Sequence, residues 1–280
     1  MKLPVTILML CEKVCMSRQN YYKGKRMRQA RTINDELIVS LVRQERALQP
    51  RLGGRKLYYL LKPKLEEEGV LIGRDRFFAL LSRNGLLLEP LPKAPRTTNS
   101  RHTLPIFRNL LATEQLDRSN QGWVSDITYI RTDEGFIYLS LIMDAWSRKI
   151  VGYHAADTLE TEGCLKALEK ALIELPVGSY PIHHSDRGSQ YCSHLYTQKL
   201  MEHGLKISMT EVLHCYENAQ AERVNGILKQ EYGLGKSFRN KSQALISVDQ
   251  AIKLYNTRRP HLSLNYRTPE EVHSGRKRVA

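Results

Sequence analysis

Cysteine is scarce and poorly spaced for structural use. Five are present, at Cys11, Cys15, Cys164, Cys192 and Cys215, and no CxxC pair occurs. That argues against a structural zinc site, and the odd, unpaired set fits a reducing cytoplasmic compartment. No apolar run approaches the ~20 residues needed to cross a bilayer. The opening "MKLPVTILMLC" is short even for the core of a signal peptide, so no membrane role is expected. Internal repeats and sustained heptads are both missing, which leaves no sign of a solenoid or a long coiled coil.

What is present is a chain of 280 residues with 41% hydrophobic content, enough to bury a real core in one large domain or two modest ones. The net charge of +14 is unevenly placed. Residues 1–100 carry 20 Lys/Arg against 9 Asp/Glu, a net of +11, and residues 101–280 carry 23 against 20, a net of +3. A basic first third beside a nearly balanced remainder points to a polyanion-binding module joined to a separate globular unit. The boundary is "EPLPKAPRTTNSRHTLP", with four prolines and no apolar period, an extended linker. The expected division is therefore a basic helical region over 1–88, a Pro-rich linker over 89–112 and a globular core over 113–277.

The first region reads as short helices with breaks. In "TILMLCEKVCMSRQNYYK" an apolar helix and a turn precede Ser17, a plausible N-cap opening a second short helix. That outline is a helix-turn-helix, which would offer Arg18, Gln19 and Asn20 to a DNA groove. Further on, two helices are stopped by Gly69 and Gly85, and Pro63 is expected to break or kink the first.

Past the linker the apolar period changes. "GWVSDITYIRT" alternates, "DEG" turns, and "FIYLSLIMDA" and "KIVGYHAADT" follow as strands two and three of an antiparallel meander. Then come a helix with Leu165, Leu168, Leu172 and Leu175 on one face, the strand "YPIHHSD", a helix stopped by Gly204, and the strand "LKISMT". Helices over 218–232 and 242–256 close the chain, the last with Leu245, Val248, Ile252 and Tyr255 as its buried stripe. Three strands followed by alternating helix and strand describe an α/β fold with a sheet of mixed direction.

Three carboxylates stand out against this frame. Asp126 lies mid-strand, where Asp is disfavoured, so it either faces solvent or has a cationic partner. Asp186 ends the fourth strand, where open α/β sheets place their chemistry. Glu222 belongs to a polar helical stripe of Asn218, Glu222, Asn225 and Lys229, beside an apolar stripe of Ala221, Val224, Leu228 and Tyr232. Oxygen donors without histidine or thiolate suit magnesium or manganese, and a pair of such ions can clamp both oxygens of an in-line phosphoryl transfer. Among the other polar residues, Asp144 is expected to cap the turn after the second strand, and at least one of His183 and His184 to face the core. Arg258, Arg259 and His261 either touch the DNA backbone or close the fold.

"WVSDITYI", "MDAWSRKIVGY", "HHSDRGSQY", "CYENAQAERVNGILKQE" and "YNTRRPHLSL", in that order, resemble the transposases of bacterial insertion sequences. The likeness is to the second-frame, OrfB-type protein within the retroviral-integrase superfamily, and it runs from about residue 105 to 275. The family's signature is two aspartates and a glutamate, with thirty-five residues between the last two. Here 35 residues separate Asp186 from Glu222. The resemblance thus implies Asp126, Asp186 and Glu222 as catalytic and metal-binding residues for two Mg2+ or Mn2+ ions. It also implies a ribonuclease-H-like, five-stranded mixed sheet flanked by helices behind the helix-turn-helix-like region.

The implied activity is DNA strand cleavage and strand transfer on element ends and target DNA, with Lys229 as a DNA contact. Arg187, Gln190 and Asn218 are further candidate contacts. The implied partners are DNA, further copies of the chain assembled on it, and a first-frame (OrfA-type) protein or a frameshift fusion with it, in the bacterial cytoplasm at the nucleoid. Two departures stand out. The segment before the third acid, "VLHCYENA", has no glycine and places Glu217 as a competing carboxylate, and the His/Cys zinc module of viral integrases is missing. A ribonuclease-H-like nuclease or resolvase could use the same acids, and a DNA-binding regulator would need only the basic first third.

Overall fold

The computed structural model describes residues 6–89, 104–211 and 218–275. It divides into two compact units, Met1–Leu48 with Gly53–Leu88, and Gln49–Leu52 with Glu89–Ala280. Most of the linker stretch and Glu217 lie outside the described residues.

The first unit is all helical: α1 (Ile7–Lys13), α2 (Arg18–Leu48), α3 (Gly54–Glu67) and α4 (Arg74–Arg83). Ser17 does cap the second helix, its hydroxyl accepting from the Asn20 amide at 3.2 Å. That helix is not the short one expected, however, but a rod of 31 residues. Nothing between Asn20 and Leu48 can stop it, for there is no proline, and the single Gly24 costs a helix only about 1 kcal/mol. Only its second half is packed, through Ile38, Val39, Leu41 and Val42. Residues 18 to 33 hold six Lys/Arg and no acid, and almost all are exposed. Pro63 does not end α3, which continues to Glu67. Gly69 and Gly85 end their helices as expected, at φ of 70° and 62°, where a side chain would be strained.

The second unit is built on one sheet of order β3-β2-β1-β4-β5. Strands β1 (Gly122–Thr132), β2 (Gly135–Asp144) and β3 (Ile150–Ala156) form the antiparallel meander. Strands β4 (Ile182–Ser185) and β5 (Lys206–Met209) continue the sheet in parallel on the other side of β1. It is the mixed five-stranded sheet flanked by helices that was expected. Alternation along β1 sends Val124 and Ile130 to one core and Trp123 to the other. The first core is roofed by α8 (Ala219–Glu231) and α9 (Lys241–Thr257), the second by α5 (Thr161–Ile173) and α7 (His194–Glu202). The short α6 (Ser189–Cys192) precedes α7, and α10 (Pro269–His273) closes the described chain.

Two apolar stripes differ from their expected form. On α5 the residues against the sheet are Cys164, Ala167, Leu168 and Ala171, while Leu165, Leu172 and Leu175 pack at the margin. The small residues are there because α5 lies almost on the backbone of β3. A Cβ added to Gly152 would stand 2.2 Å from the Ala167 carbonyl oxygen and 2.8 Å from the Ala171 Cβ. On α9, Leu245 is 40% exposed, and Ala244 and Ala251 share the buried face with Val248, Ile252 and Tyr255. Asp144 is structural as expected. Fully buried, it accepts from the Ser147 amide and hydroxyl, both at 2.7 Å, and from the Asn120 amide at 2.7 Å. At the outer edge of the sheet, Asn256 accepts from the Ile150 amide and donates to the Ile150 carbonyl, each at 2.9 Å.

Gly152→Ala should therefore lift α5 off the sheet. Overpacking of this kind costs about 1–3 kcal/mol, and a backbone carbonyl cannot rotate away, so the upper end is expected. A urea titration should show an earlier midpoint than that of the parent; an unchanged midpoint would contradict the close approach.

Candidate active site

The site forms where β1 and β4 part company. Their parallel pairing covers only Gly122 to Val124 opposite Ile182 to His184. Asp126 lies two residues past the last pair, and Asp186 follows directly on β4. Beneath the junction, His183 is fully buried, its Nε2 2.7 Å from the Ser125 hydroxyl and 2.9 Å from the Tyr196 hydroxyl. Burial first, then the neighbouring His184, pushes its pKa down to about 3, so the ring is neutral. His184 is buried as well, with Nδ1 2.8 Å from the Ser208 hydroxyl. Both histidines are pins within the sheet, placed like core residues and not like metal ligands.

Asp126 is partly buried, and neither expectation for it holds. Its Oδ2 accepts from Asn225 Nδ2 at 2.9 Å, and its Oδ1 from the Ile127 amide at 2.9 Å. Burial raises its pKa to about 7, and the charges of Asp186 and Glu222 push the same way against the two hydrogen bonds. The three acids named from sequence thus share one electrostatic neighbourhood. Asp186 Oδ1 accepts from the Gly188 amide at 3.0 Å, holding the turn after β4. Glu222 is exposed in the first turn of α8. Among the described residues, no three His, Cys, Asp or Glu side chains stand close enough to hold one ion together. Within that limit the donor set fits a hard divalent cation. It consists of oxygens only, and it includes a carboxyl that retains its proton chiefly because it is buried, with the charges of Asp186 and Glu222 adding to the effect.

Asn225, one turn after Glu222, is the residue that sequence reasoning passed over as a functional group. It is buried, it touches Asp126 directly, and its Oδ1 is buried without a hydrogen-bond partner. The available signal was its place on the polar stripe with Glu222 and Lys229. Lys229 lies with its Nζ 4.4 Å from the centroid of the Tyr129 ring. Burial lowers its pKa, opposed by Tyr129 and by Asp126.

The remaining candidates fall into two groups. Asn218 is 2% exposed and donates to the Ser125 carbonyl at 3.0 Å, tying the start of α8 to β1. Arg187 donates to the carbonyls of Thr210 and Glu211 at 2.6 and 2.8 Å, fastening the end of β4 to the segment after β5. Arg259, 3% exposed, makes a two-pronged pair with Glu231, both contacts at 2.8 Å, and donates to His261 at 2.8 Å. Those two residues close the fold. By contrast Gln190 is partly exposed, bonded to the Leu159 carbonyl at 2.9 Å, and Arg18 and Gln19 are exposed at the start of α2 in the other unit.

Two integrase core domain families match the chain, one over residues 117–215 and one over 203–269. The chain is 34% identical to an insertion element IS600 31 kDa protein of Shigella sonnei, over 93% of this chain and 96% of that protein. It is 32% identical to the transposase for insertion sequence element IS629 of Shigella sonnei, over 94% and 90%. It is 33% identical to transposase InsF for insertion sequence IS3A of Escherichia coli K12, over 75% and 74%. Among solved structures, the HTLV-2 integrase catalytic core domain in complex with magnesium covers 59% of this chain and 99% of that one at 17% identity, with a TM-score of 0.45.

A pH experiment follows from Asp126. Its folded-state pKa of about 7 lies above the ordinary value of 3.8, so the folded chain holds a proton that the unfolded chain releases between those values. The associated stability is fully present below the lower value and is lost as pH rises through the upper one. In chelator, the gap between Asp126→Asn and the parent should widen from pH 5 to pH 8, with the variant melting higher by about 2–5 °C at pH 8. A gap that does not change with pH would remove the burial argument.

Proposed function

The chain belongs to the insertion-sequence transposases that carry an integrase core domain, and we propose that it carries out transposition through Asp126, Asp186 and Glu222 acting as one carboxylate site for divalent metal. The observation that supports this reading is electrostatic: Asp126 lies in the field of both other acids, though they come from a strand end and a helix far along the chain. Asp126, Asp186 and Glu222 would hold Mg2+ or Mn2+, as two ions. When bound, the metal supplies the positive charge that activates the attacking oxygen and stabilises the departing one.

The chain's own residues do the rest. Asn225 fixes Oδ2 of Asp126, so the carboxylate presents a set orientation to its ligand. Arg187 braces the turn that carries Asp186 through two backbone carbonyls. Arg259 fixes the far end of α8 through Glu231, and with it the direction in which Glu222 projects. Asp126 would have to give up its proton to hold a cation, so affinity for Mg2+ or Mn2+ should rise as pH passes through about 7.

In cleavage, the oxygen of water forms the new bond to phosphorus, and the 3′-oxygen of the element end departs and takes up a proton. In strand transfer, that freed 3′-hydroxyl attacks a target phosphodiester, and a target 3′-oxygen leaves in its turn. Lys229 meets phosphate on the same face. Residues 1–88, with Arg18, Gln19 and the run of cations along α2, hold DNA through charge, and residues 113–277 form the catalytic core. The chain works at the nucleoid as several copies on DNA, together with a first-frame partner or fused to it.

Asp186→Asn should lose at least 10²-fold of both cleavage and strand transfer while binding DNA as tightly as the parent, and chelation should do the same to the parent. A variant that still cuts would sink the assignment of the acids. Cutting without any joining of 3′ ends to target DNA would favour a nuclease or resolvase instead.

A further inference from the structure

We propose that Tyr129 and Phe136 form a stacking platform for an unpaired DNA base beside the acids, with Lys229 and Arg131 receiving the flanking phosphates. The idea deepens the reading above, on which the choice of DNA as occupant rests. Most large apolar side chains on the central strands are buried, yet Tyr129 is 39% and Phe136 42% exposed. They lie on adjacent strands, Phe136 opposite Arg131 and Tyr129 two positions away. Their rings meet edge to face at a centroid distance of 5.6 Å and an angle of 82°. Each ring carries a cation. Lys229 Nζ is 4.4 Å from the Tyr129 centroid, and the Arg131 guanidinium carbon is 5.9 Å from that of Phe136.

Neither cation is tied up elsewhere: among the described residues, Arg131 and Lys229 make no ion pair and no side-chain hydrogen bond. Their donors remain available to an anion while their charge sits over aromatic faces. Exposed rings interleaved with cations are what a single strand needs, because any base offers a π-face to stack and every nucleotide brings a phosphate. The placement is also apt. Tyr129 is three residues from Asp126 on β1, roughly 10 Å along the strand, and Lys229 feels the charge of Asp126 while resting on Tyr129. Along β1 the side chains of Asp126 and Tyr129 leave opposite faces of the strand, so the link between the acids and the platform is Lys229, which rests on the Tyr129 ring at the open edge of β1.

The competing account is that the two rings merely staple the β1–β2 hairpin, since diagonal aromatic pairs stabilise antiparallel strands. The full chain should be titrated with two fluorescein-labelled probes, a blunt duplex and the same duplex with a four-nucleotide single-stranded tail bearing 2-aminopurine. With EDTA present no strand is cut, so the outcome does not depend on whether the acids are correctly assigned; that question is decided separately by cleavage with Asp186→Asn.

Tyr129→Ala should weaken binding of the tailed probe on the order of 5- to 100-fold, leave the blunt duplex nearly unchanged, and relieve the quenching of 2-aminopurine. Phe136→Ala should act in the same direction, and Tyr129→Phe should restore both readings, since it keeps the ring. Thermal melts of each variant establish that it is folded. Equal losses on both probes, or a drop in melting temperature with no tail-specific loss, would overturn the platform.

Discussion

Three residue pairs hold the parallel junction between β1 and β4, and the acidic face is set by where that pairing stops. Beyond Val124 the two strands diverge, leaving a notch whose lip carries Asp126 on one side and Asp186 on the other. The side chain of Asn218 bonds to β1 at Ser125, and Arg187 gathers the segment after β5 against the end of β4. The buried His183, held neutral between Ser125 and Tyr196, keeps the junction rigid from below without adding charge to it. Burial first, and then the charges of Asp186 and Glu222, hold the pKa of Asp126 well above the ordinary carboxylate value.

Such an arrangement is unfavourable for an isolated fold, because burial and neighbouring negative charge both disfavour the ionised form of Asp126. The scaffold resists the repulsion with contacts far from the acids themselves. Arg259 and Glu231 form a buried ion pair at the last turn of α8, with His261 and Tyr255 against it. Buried pairs of this type add little net stability, yet losing one partner leaves a charge stranded in the interior. Their value here is directional, because they fix the helix that carries both Glu222 and Asn225.

Much of this was legible in the amino-acid order. Alternation in "GWVSDITYIRT" gave the correct faces of β1, glycines marked the ends of α3, α4 and α7, and the apolar stripe of Ala221, Val224 and Leu228 correctly seats α8. The three acids were named from the family resemblance and not from periodicity, since no local pattern brings residues 126, 186 and 222 together. What escaped were matters of distance across the fold. The small-residue face of α5 depends on how near β3 approaches. The roles of Asn218 and Arg187 depend on carbonyls remote in sequence, and the length of α2 depends on the absence of any stop, a weaker signal than its presence.

Asn256 has one more implication. By closing both polar groups of Ile150 on the outermost strand, a single amide plays the part of a sixth neighbour and removes the first rung on which another polypeptide could climb. Open sheets are prone to lengthen by recruiting foreign strands. Here the rim is plugged at the point where such growth would begin.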